Sequence, residues 1–207
     1  MAMDAVYNGE YNKMEFTVQA YSGVVRIIKT TAWIFGIGAM LFLFCIYQQK
    51  ERKRLIICKL CADICWSVHY LCLGAIGGAI PNFVGIFREL VFVNRKEKNW
   101  ADKVIWPVLF IAVNLTLGII TMKSYINLLP IIGSVFVTVS LWLKNPLLTK
   151  VISFPVSCSF LIYDIFVGSW IGVFNESLSL ISILIALFHY LLQKSKAKKE
   201  IKDHANS

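Results

Sequence analysis

Long apolar stretches recur along this chain of 207 residues, and short polar breaks separate each stretch from the next. A helix needs roughly 20 mainly apolar residues to cross about 30 Å of hydrocarbon, and several stretches approach that length. The composition agrees, because 57% of the residues are hydrophobic and only 16% are charged, which is too apolar for a water-soluble domain of this size. The sequence therefore predicts an all-α membrane protein whose first partner is the lipid bilayer.

The apolar stretches predict seven transmembrane helices and leave no soluble domain large enough for a chemistry of its own. The spans cover approximately residues 31–49, 55–71, 75–94, 104–122, 125–143, 149–166 and 171–192. The residues before the first span lack a basic start followed at once by an apolar core, so no removable signal peptide is predicted.

Lysine and arginine residues mark every second connection between spans. The connections after the first, third and fifth spans, together with the C-terminal tail, hold most of the 21 Lys and Arg residues. Because basic connections stay in the cytoplasm, the N-terminus is predicted outside and the C-terminus inside. The net charge of +9 then reflects topology, and no nucleic-acid binding is expected, since the basic residues do not line one amphipathic face.

Glycine and asparagine landmarks indicate an internal repeat. Pairs recur at an offset of 93 to 95 residues: Gly38 and Gly133, Gly74 and Gly168, Gly78 and Gly172, and Asn82 and Asn175. Many transporters are built from duplicated helix sets. The alternative is coincidence, because small residues four apart are common in membrane helices.

A repeat of three helices can enter the membrane twice in the same orientation only if one extra helix joins the copies. The predicted fold is therefore a 3+1+3 bundle with parallel repeats. Its parts are a polar N-terminal segment (1–30), a first three-helix bundle (31–94), a linker helix (95–124), a second bundle (125–193) and a basic cytoplasmic tail (194–207).

One stretch of about 60 residues supports a family resemblance. Its landmarks are the sequence Ala-Asp-Ile-Cys-Trp-Ser-Val-His-Tyr at 62–70, followed by Gly74, Gly77, Asn82, Arg88 and Phe92. In this stretch the chain resembles the Imp-YgjV family of bacterial inner-membrane proteins. The resemblance implies a multi-pass protein of the bacterial inner membrane, and it brings no established activity.

The 3+1+3 plan is also similar to the SWEET sugar transporters and their PQ-loop and PnuC relatives. In SWEET transporters a pair of asparagines on the third and seventh helices faces the substrate, and Asn82 and Asn175 occupy the corresponding spans here. The chain departs from that pattern, because it has no Pro-Gln doublet and only Pro130 and Pro155 stand for the four expected hinge prolines.

Five residues are candidates for substrate binding: Asn82, Asn175, Trp66, His69 and Tyr163. The two asparagines follow their hairpin glycines by seven or eight residues, which places both roughly 10 to 12 Å below the outer surface. An amide offers donors and acceptors to a polar solute. The alternative roles are packing between helices for the asparagines and interfacial anchoring for Trp66 and His69.

Charged residues inside the spans are expected to pair. Asp63 and Arg88 lie at comparable depths on the second and third spans, and they are predicted to form an ion pair that acts as a gate or only as structure. Glu176 is a candidate for proton coupling if it is buried. Asp164 could serve the same purpose, but its position near the outer surface favours a solvated rim residue.

The sequence favours a transporter of a small polar metabolite that works by alternating access between the two repeats. The alternative is a membrane scaffold or sensor subunit that transports nothing. No enzyme activity, cofactor or metal site is predicted, because no nucleophile, phosphate-binding or metal-ligand motif occurs in a suitable context. The solute is not named by the sequence, and a homo-oligomer is compatible with it.

Overall fold

The computed structural model describes residues 2–48, 51–143 and 146–205, and all regular structure in those ranges is helical. The helices are α1 (Ala2–Gln48), α2 (Arg52–Cys72), α3 (Ile76–Phe92), α4 (Ile105–Ile120), α5 (Leu128–Trp142), α6 (Pro146–Val167) and α7 (Trp170–Ala205), with short 3₁₀ turns at Asn99–Asp102 and Tyr125–Asn127. Each predicted span falls on one of these seven helices, so the all-α class is confirmed.

Four helical segments are long and apolar enough to cross a membrane on length and composition alone. They are Gln19–Ile46, Lys53–Cys72, Tyr125–Trp142 and Trp170–Phe188, and two shorter apolar helices cover Ile105–Ile120 and Val151–Val167. Seven helices thus correspond in position to the seven predicted spans, and four of them are long and apolar enough to cross a membrane. α3 carries Arg88 and Glu89 inside its 17 residues, which lowers its mean hydropathy.

The first and last helices are longer than the apolar pattern predicts. α1 begins at Ala2 rather than near residue 31, and α7 continues to Ala205 through most of the predicted basic tail. No proline interrupts either helix. Hydropathy marks where apolar side chains stop, whereas a helix ends where its backbone hydrogen bonds stop, and polar helix formers let the two differ.

Left-handed glycines form the two tight hairpins that the sequence predicts. Gly74, between α2 and α3, has φ +69°, and Gly168, between α6 and α7, has φ +70°. Glycine adopts this conformation at little steric cost, whereas other residues rarely do. Each hairpin therefore depends on one glycine.

Helix packing follows a closed circuit. α1 packs on α2, α2 on α3, α3 on α5, α5 on α6, α6 on α7, and α7 packs back on α1. α4 lies beside this circuit and packs against α3 and α5. Two turns that are far apart in sequence come together in the fold, because His69 near the end of α2 lies 2.9 Å from Ser169 at the start of α7.

The distribution of polarity is that of a membrane protein. Large apolar side chains such as Trp33, Ile120 and Phe166 are exposed, whereas Arg88 and Glu89 are buried. In lipid the apolar surface carries no penalty, and polar groups are stable only where other protein groups satisfy them. The polar groups that could bind a solute or an ion therefore lie in the interior of the helix bundle.

The connection between α3 and α4 is fixed to the rest of the chain at the end of α3. The Arg95 guanidinium lies 3.4 Å from the centre of the Trp142 ring and donates a 2.7 Å hydrogen bond to the Trp142 carbonyl. In the same connection, Glu97 Oε1 accepts a 2.8 Å hydrogen bond from Lys53 Nζ at the start of α2, and this hydrogen bond lowers the pKa of Glu97.

Candidate functional site

One face of α2 organises the buried polar interior. Asp63, Trp66, His69 and Tyr70 fall at helical spacing on that face, and all four are buried. The predicted inward orientation of this face is therefore confirmed. It contributes to two groups of residues, one near the Gly74 and Gly168 turns and the other deeper in the bundle.

The first group is the turn-side cluster, which consists of Trp66, His69, Tyr70, Tyr163, Asp164 and Ser169. Its aromatic rings pack one against the next. Trp66 stacks on Tyr70 with ring centroids 5.6 Å apart, and Tyr70 packs edge-on against Tyr163 with centroids 5.9 Å apart. The cluster draws on α2, on α6 and on the turn between α6 and α7. Aromatic rings thus fill the space between α2 and α6.

Both ring nitrogens of His69 have protein partners. Nδ1 lies 2.7 Å from the Ala32 carbonyl of α1, and Nε2 lies 2.9 Å from Ser169 Oγ. Because a carbonyl can only accept, Nδ1 must carry a proton, and in the neutral ring Nε2 then accepts the Ser169 hydroxyl. Gly172 N–H completes the chain by donating to Ser169 Oγ at 3.3 Å. His69 thereby joins α1, α2 and α7.

Two tyrosines connect helices from opposite halves of the sequence. Tyr70 on α2 donates a 2.8 Å hydrogen bond to Asp164 Oδ1 on α6. Tyr163 on α6 accepts a 2.8 Å hydrogen bond from the Gly78 backbone amide in the first turns of α3. Asp164 Oδ2 is buried and has no hydrogen-bond partner.

The second group is the charged cluster, which consists of Lys59, Asp63, Arg88, Glu89, Ser134 and Thr138. Arg88 lies at its centre and donates to Glu89 Oε1 at 3.0 Å and to Thr138 Oγ1 at 2.9 Å. The predicted ion pair is present, because Arg88 Nη2 lies 3.6 Å from Asp63 Oδ2. That distance is too long for a hydrogen bond, so Glu89 is the closer partner.

Lys59 balances the charge of this cluster from one turn below Asp63. Its ammonium group pairs with Asp63 Oδ1, so two cations face two carboxylates. Oδ2 of Asp63, Oε2 of Glu89 and Oδ1 of Asn114 nevertheless have no hydrogen-bond partner. The cluster joins α2, α3 and α5, and the Asn114 amide extends it to α4 by donating to Ser134 Oγ at 3.1 Å.

Comparison with known proteins places this arrangement in a family. A model of Imp-YgjV, a family of bacterial inner membrane proteins, matches residues 30–194. The chain belongs to this family. The match runs from α1 into α7 and contains both clusters. It therefore extends well beyond the stretch ending at Phe92 that carries the family resemblance in the sequence. No curated protein and no solved structure matches the chain.

The two candidate asparagines of this Imp-YgjV protein are both buried, but each is bonded within its own helix. Asn82 Nδ2 donates to the Gly78 carbonyl at 2.8 Å, and Asn175 Nδ2 donates to Glu176 Oε1 at 2.9 Å. Within the described ranges no hydrogen bond joins Asn82 to Asn175. Glu176 is half-buried and also receives a hydrogen bond from Ser157.

Three interpretations of the sequence are wrong about environment. Asp164 is not a solvated rim residue but is 1% exposed, because α2 and the start of α7 cover it. Trp66 and His69 are not interfacial anchors, since both lie inside the bundle. All three residues follow the inward faces of their helices, and distance from a helix end alone does not reveal that.

Glu89 and Lys59 belong to the charged cluster, although they are not predicted as site residues from the sequence. The signal for Glu89 is available, because a carboxylate beside Arg88 in an apolar run is as costly in a membrane as the arginine itself. Lys59 is harder to identify, since lysines near helix ends usually extend to the interface. Its pairing with Asp63 depends on the depth at which α2 sits.

Proposed function

We propose that this Imp-YgjV protein is a transporter of a small polar metabolite that works by alternating access between two parallel three-helix repeats. In this proposal α1 to α3 and α5 to α7 are the repeats, α4 is the inverting linker, the N-terminus is outside and the C-terminus is cytoplasmic. The observation that carries the proposal is a set of hydrogen bonds exchanged between equivalent positions of the two halves.

The first of these bonds joins Tyr70 to Asp164 at 2.8 Å. The two residues are separated by the same 94 positions that separate Gly74 from Gly168 and Gly78 from Gly172. A contact between equivalent positions is what a twofold axis between two repeats produces, because such positions meet each other on the axis. The matching backbone conformations of the two turn glycines support the same relation.

The remaining bonds come as an exchanged pair. Tyr163 of the second half binds the Gly78 amide of the first half at 2.8 Å. His69, which is equivalent to Tyr163, reaches the Gly172 amide of the second half through Ser169. In each half, a side chain therefore binds a backbone amide near the start of the other half's third helix, directly or through Ser169. We call these contacts the latch, and in the closed state they would hold together the end of the bundle near Gly74 and Gly168.

Asn82 and Asn175 are proposed to bind the solute below this latch. The bond from Asn82 to the Gly78 carbonyl is local to its helix, so a solute acceptor could replace that carbonyl without disturbing the helix backbone. The half-buried Glu176 beside Asn175 would then contact the solute or carry a proton. Trp66 and His69 would line the path, and the Asp63 and Arg88 pair would close it on the cytoplasmic side.

A scaffold or sensor subunit is the second candidate, and the filled space between α2 and α6 favours it. A scaffold would retain the bonds of Tyr70 and Tyr163 permanently, whereas a carrier would have to break them in each cycle. The two functions therefore differ in whether the latch opens.

The test begins with purified protein in lipid vesicles. A panel of small polar metabolites is first screened for an increase in melting temperature, and uptake of any stabilising compound is then measured. We expect Asn82→Ala and Asn175→Ala each to raise the half-saturating concentration by about 10-fold or more, which corresponds to one or two lost hydrogen bonds.

Asn94→Ala is the matched control. Asn94 makes the same type of bond to the carbonyl four residues earlier, with Leu90 at 2.9 Å, but at an exposed site. Its uptake should equal that of the unmodified protein. If no compound is taken up while the protein remains folded, the transporter proposal fails and the scaffold alternative stands.

A further inference from the structure

Asp164 is a buried carboxyl group without a cationic partner. It is 1% exposed, and no ion pair in the described residues includes it. An unpaired carboxylate inside a membrane protein costs several kcal/mol. This separates it from Asp63 and Glu89, which both lie close to Arg88.

The free oxygen of this carboxyl group packs near the Ser169 hydroxyl. Oδ1 accepts the Tyr70 hydroxyl, while Oδ2 is buried without a partner. A Cβ atom added to Gly172 would overlap Oδ2 and would lie 2.6 Å from Ser169 Oγ. Oδ2 and the Ser169 hydroxyl therefore both pack against the backbone of residue 172, which is possible because that residue is glycine.

The groups that face the Asp164 carboxyl are negative or neutral. α2 contributes the neutral Tyr70 and the His69 ring, α6 contributes Tyr163, and α7 contributes the Glu176 carboxylate. The first turns of α3 contribute only the backbone around Gly78. No described cation pairs with this carboxyl group, and Lys59 and Arg88 of the charged cluster are engaged by Asp63 and Glu89. The Asp164 carboxylate therefore lacks a positively charged partner.

We propose that Asp164, with Tyr70 and Ser169, binds one small monovalent cation, either a proton or a sodium ion. Both ligands neutralise the carboxylate, a proton by forming an O–H bond at Oδ2 and sodium by accepting oxygen ligands. Glu176, which the sequence suggests for proton coupling, is half-buried, whereas Asp164 is 1% exposed. Use of the Asp164 cation to drive transport rests on the proposed function, but its binding does not.

The experiment measures the melting temperature of the full chain in detergent. One series varies pH from 5 to 9 without sodium, and another replaces choline chloride by sodium chloride at constant ionic strength and pH 8. A ligand that binds only the folded state stabilises it. We expect a rise of at least about 3 °C as pH falls if the proton binds, or as sodium rises if sodium binds, and Asp164→Asn should reduce that rise.

Glu97→Gln is the control, because Glu97 is a carboxylate outside the spans. The bond from Lys53 lowers the pKa of Glu97, so any stability it adds is lost only at a pH below the ordinary carboxyl range, outside the scanned window. Its response should match that of the unmodified protein. A flat response of the unmodified protein in both series, or an unchanged response of Asp164→Asn, would overturn the proposal.

Tyr70→Phe provides a second variant in case Asp164→Asn does not fold. It keeps the carboxyl group but removes one oxygen, so the midpoint of the pH or sodium response should shift by about 10-fold in concentration. An unshifted midpoint also contradicts the site. If the response is present and no solute is transported, the cation site stands and the transporter proposal falls.

Discussion

At the scale of single residues, Arg88 has the most demanding environment in this protein. It is 2% exposed and contacts Asp63, Glu89, Ser134 and Thr138. Removing one partner of a buried pair leaves the opposite charge uncompensated, which costs more than the pair itself contributes. The consequences of substitution should therefore depend on the carboxylates that remain.

Arg88→Met is expected to lower the free energy of unfolding by about 3 to 5 kcal/mol. Methionine retains much of the side-chain volume, so the loss reports on the unpaired Glu89 and Asp63 rather than on a cavity. The measurement is unfolding by sodium dodecyl sulfate in mixed micelles, followed by tryptophan fluorescence.

A rescue and a control complete this comparison. Adding Glu89→Gln to Arg88→Met removes one of the stranded charges and should restore part of the lost stability. Arg54→Met should cost no more than about 1 kcal/mol, because its side chain is 69% exposed and pairs with Glu51 at the surface. Equal losses for Arg88→Met and Arg54→Met would refute this account of the charged cluster.

At the scale of helices, small residues set how closely neighbouring elements approach. Gly78 in α3 illustrates this, since an added Cβ would lie 2.7 Å from Tyr163 Cε1 and 2.9 Å from Tyr70 Cδ1. Both rings are buried and hydrogen-bonded, which limits their ability to move aside. Gly74 serves a different purpose, because nothing lies within 4 Å of its Cβ position and its backbone has φ +69°.

Gly78→Ala should therefore destabilise the fold by about 1 to 3 kcal/mol, the usual cost of overpacking. It should also weaken the bond between its amide and Tyr163. Melting temperatures in detergent give the readout, and Gly38→Ala is the matched control, because its added Cβ would meet only Cys65 Sγ at an ordinary 3.7 Å. A Gly78→Ala protein as stable as Gly38→Ala would show that the two tyrosines do not limit the approach of α3.

At the scale of the whole molecule, the order of the helices is compatible with either overall orientation in the membrane. The distribution of Lys and Arg supplies the direction and predicts that the connection between α3 and α4 is cytoplasmic and the one between α4 and α5 is outside. Lys98 and Ser124 are exposed residues in these two connections.

Single cysteines at these positions, in a chain whose six native cysteines are replaced, test the orientation. A membrane-impermeant maleimide added to spheroplasts, whose outer membrane has been removed, should label Ser124→Cys. Lys98→Cys should react only after the inner membrane is permeabilised. The reverse pattern would invert the predicted topology, and labelling of both from outside would disprove the α4 crossing.

The sequence predicts the membrane class and the positions of the helices because the bilayer acts as a uniform solvent. Apolar runs long enough to span it are local features, and so are the glycines at the two turns. The inward face of α2 also follows from local spacing, and the pairing of Asp63 with Arg88 follows from their matching depths. Helix ends were less accurate, because α1 and α7 continue into polar sequence without interruption.

Only the tertiary structure decides which polar residues inside the bundle pair with one another. Tyr70 and Asp164 are 94 residues apart, and no local pattern states which of the inward residues at similar depth will meet. The same holds for Glu89, which takes the closer position on Arg88, and for the environment of Asp164. Sequence determined how much polar chemistry enters the membrane and at what depth; helix packing determined which groups neutralise one another, because a buried charge is stabilised only by the atoms that touch it.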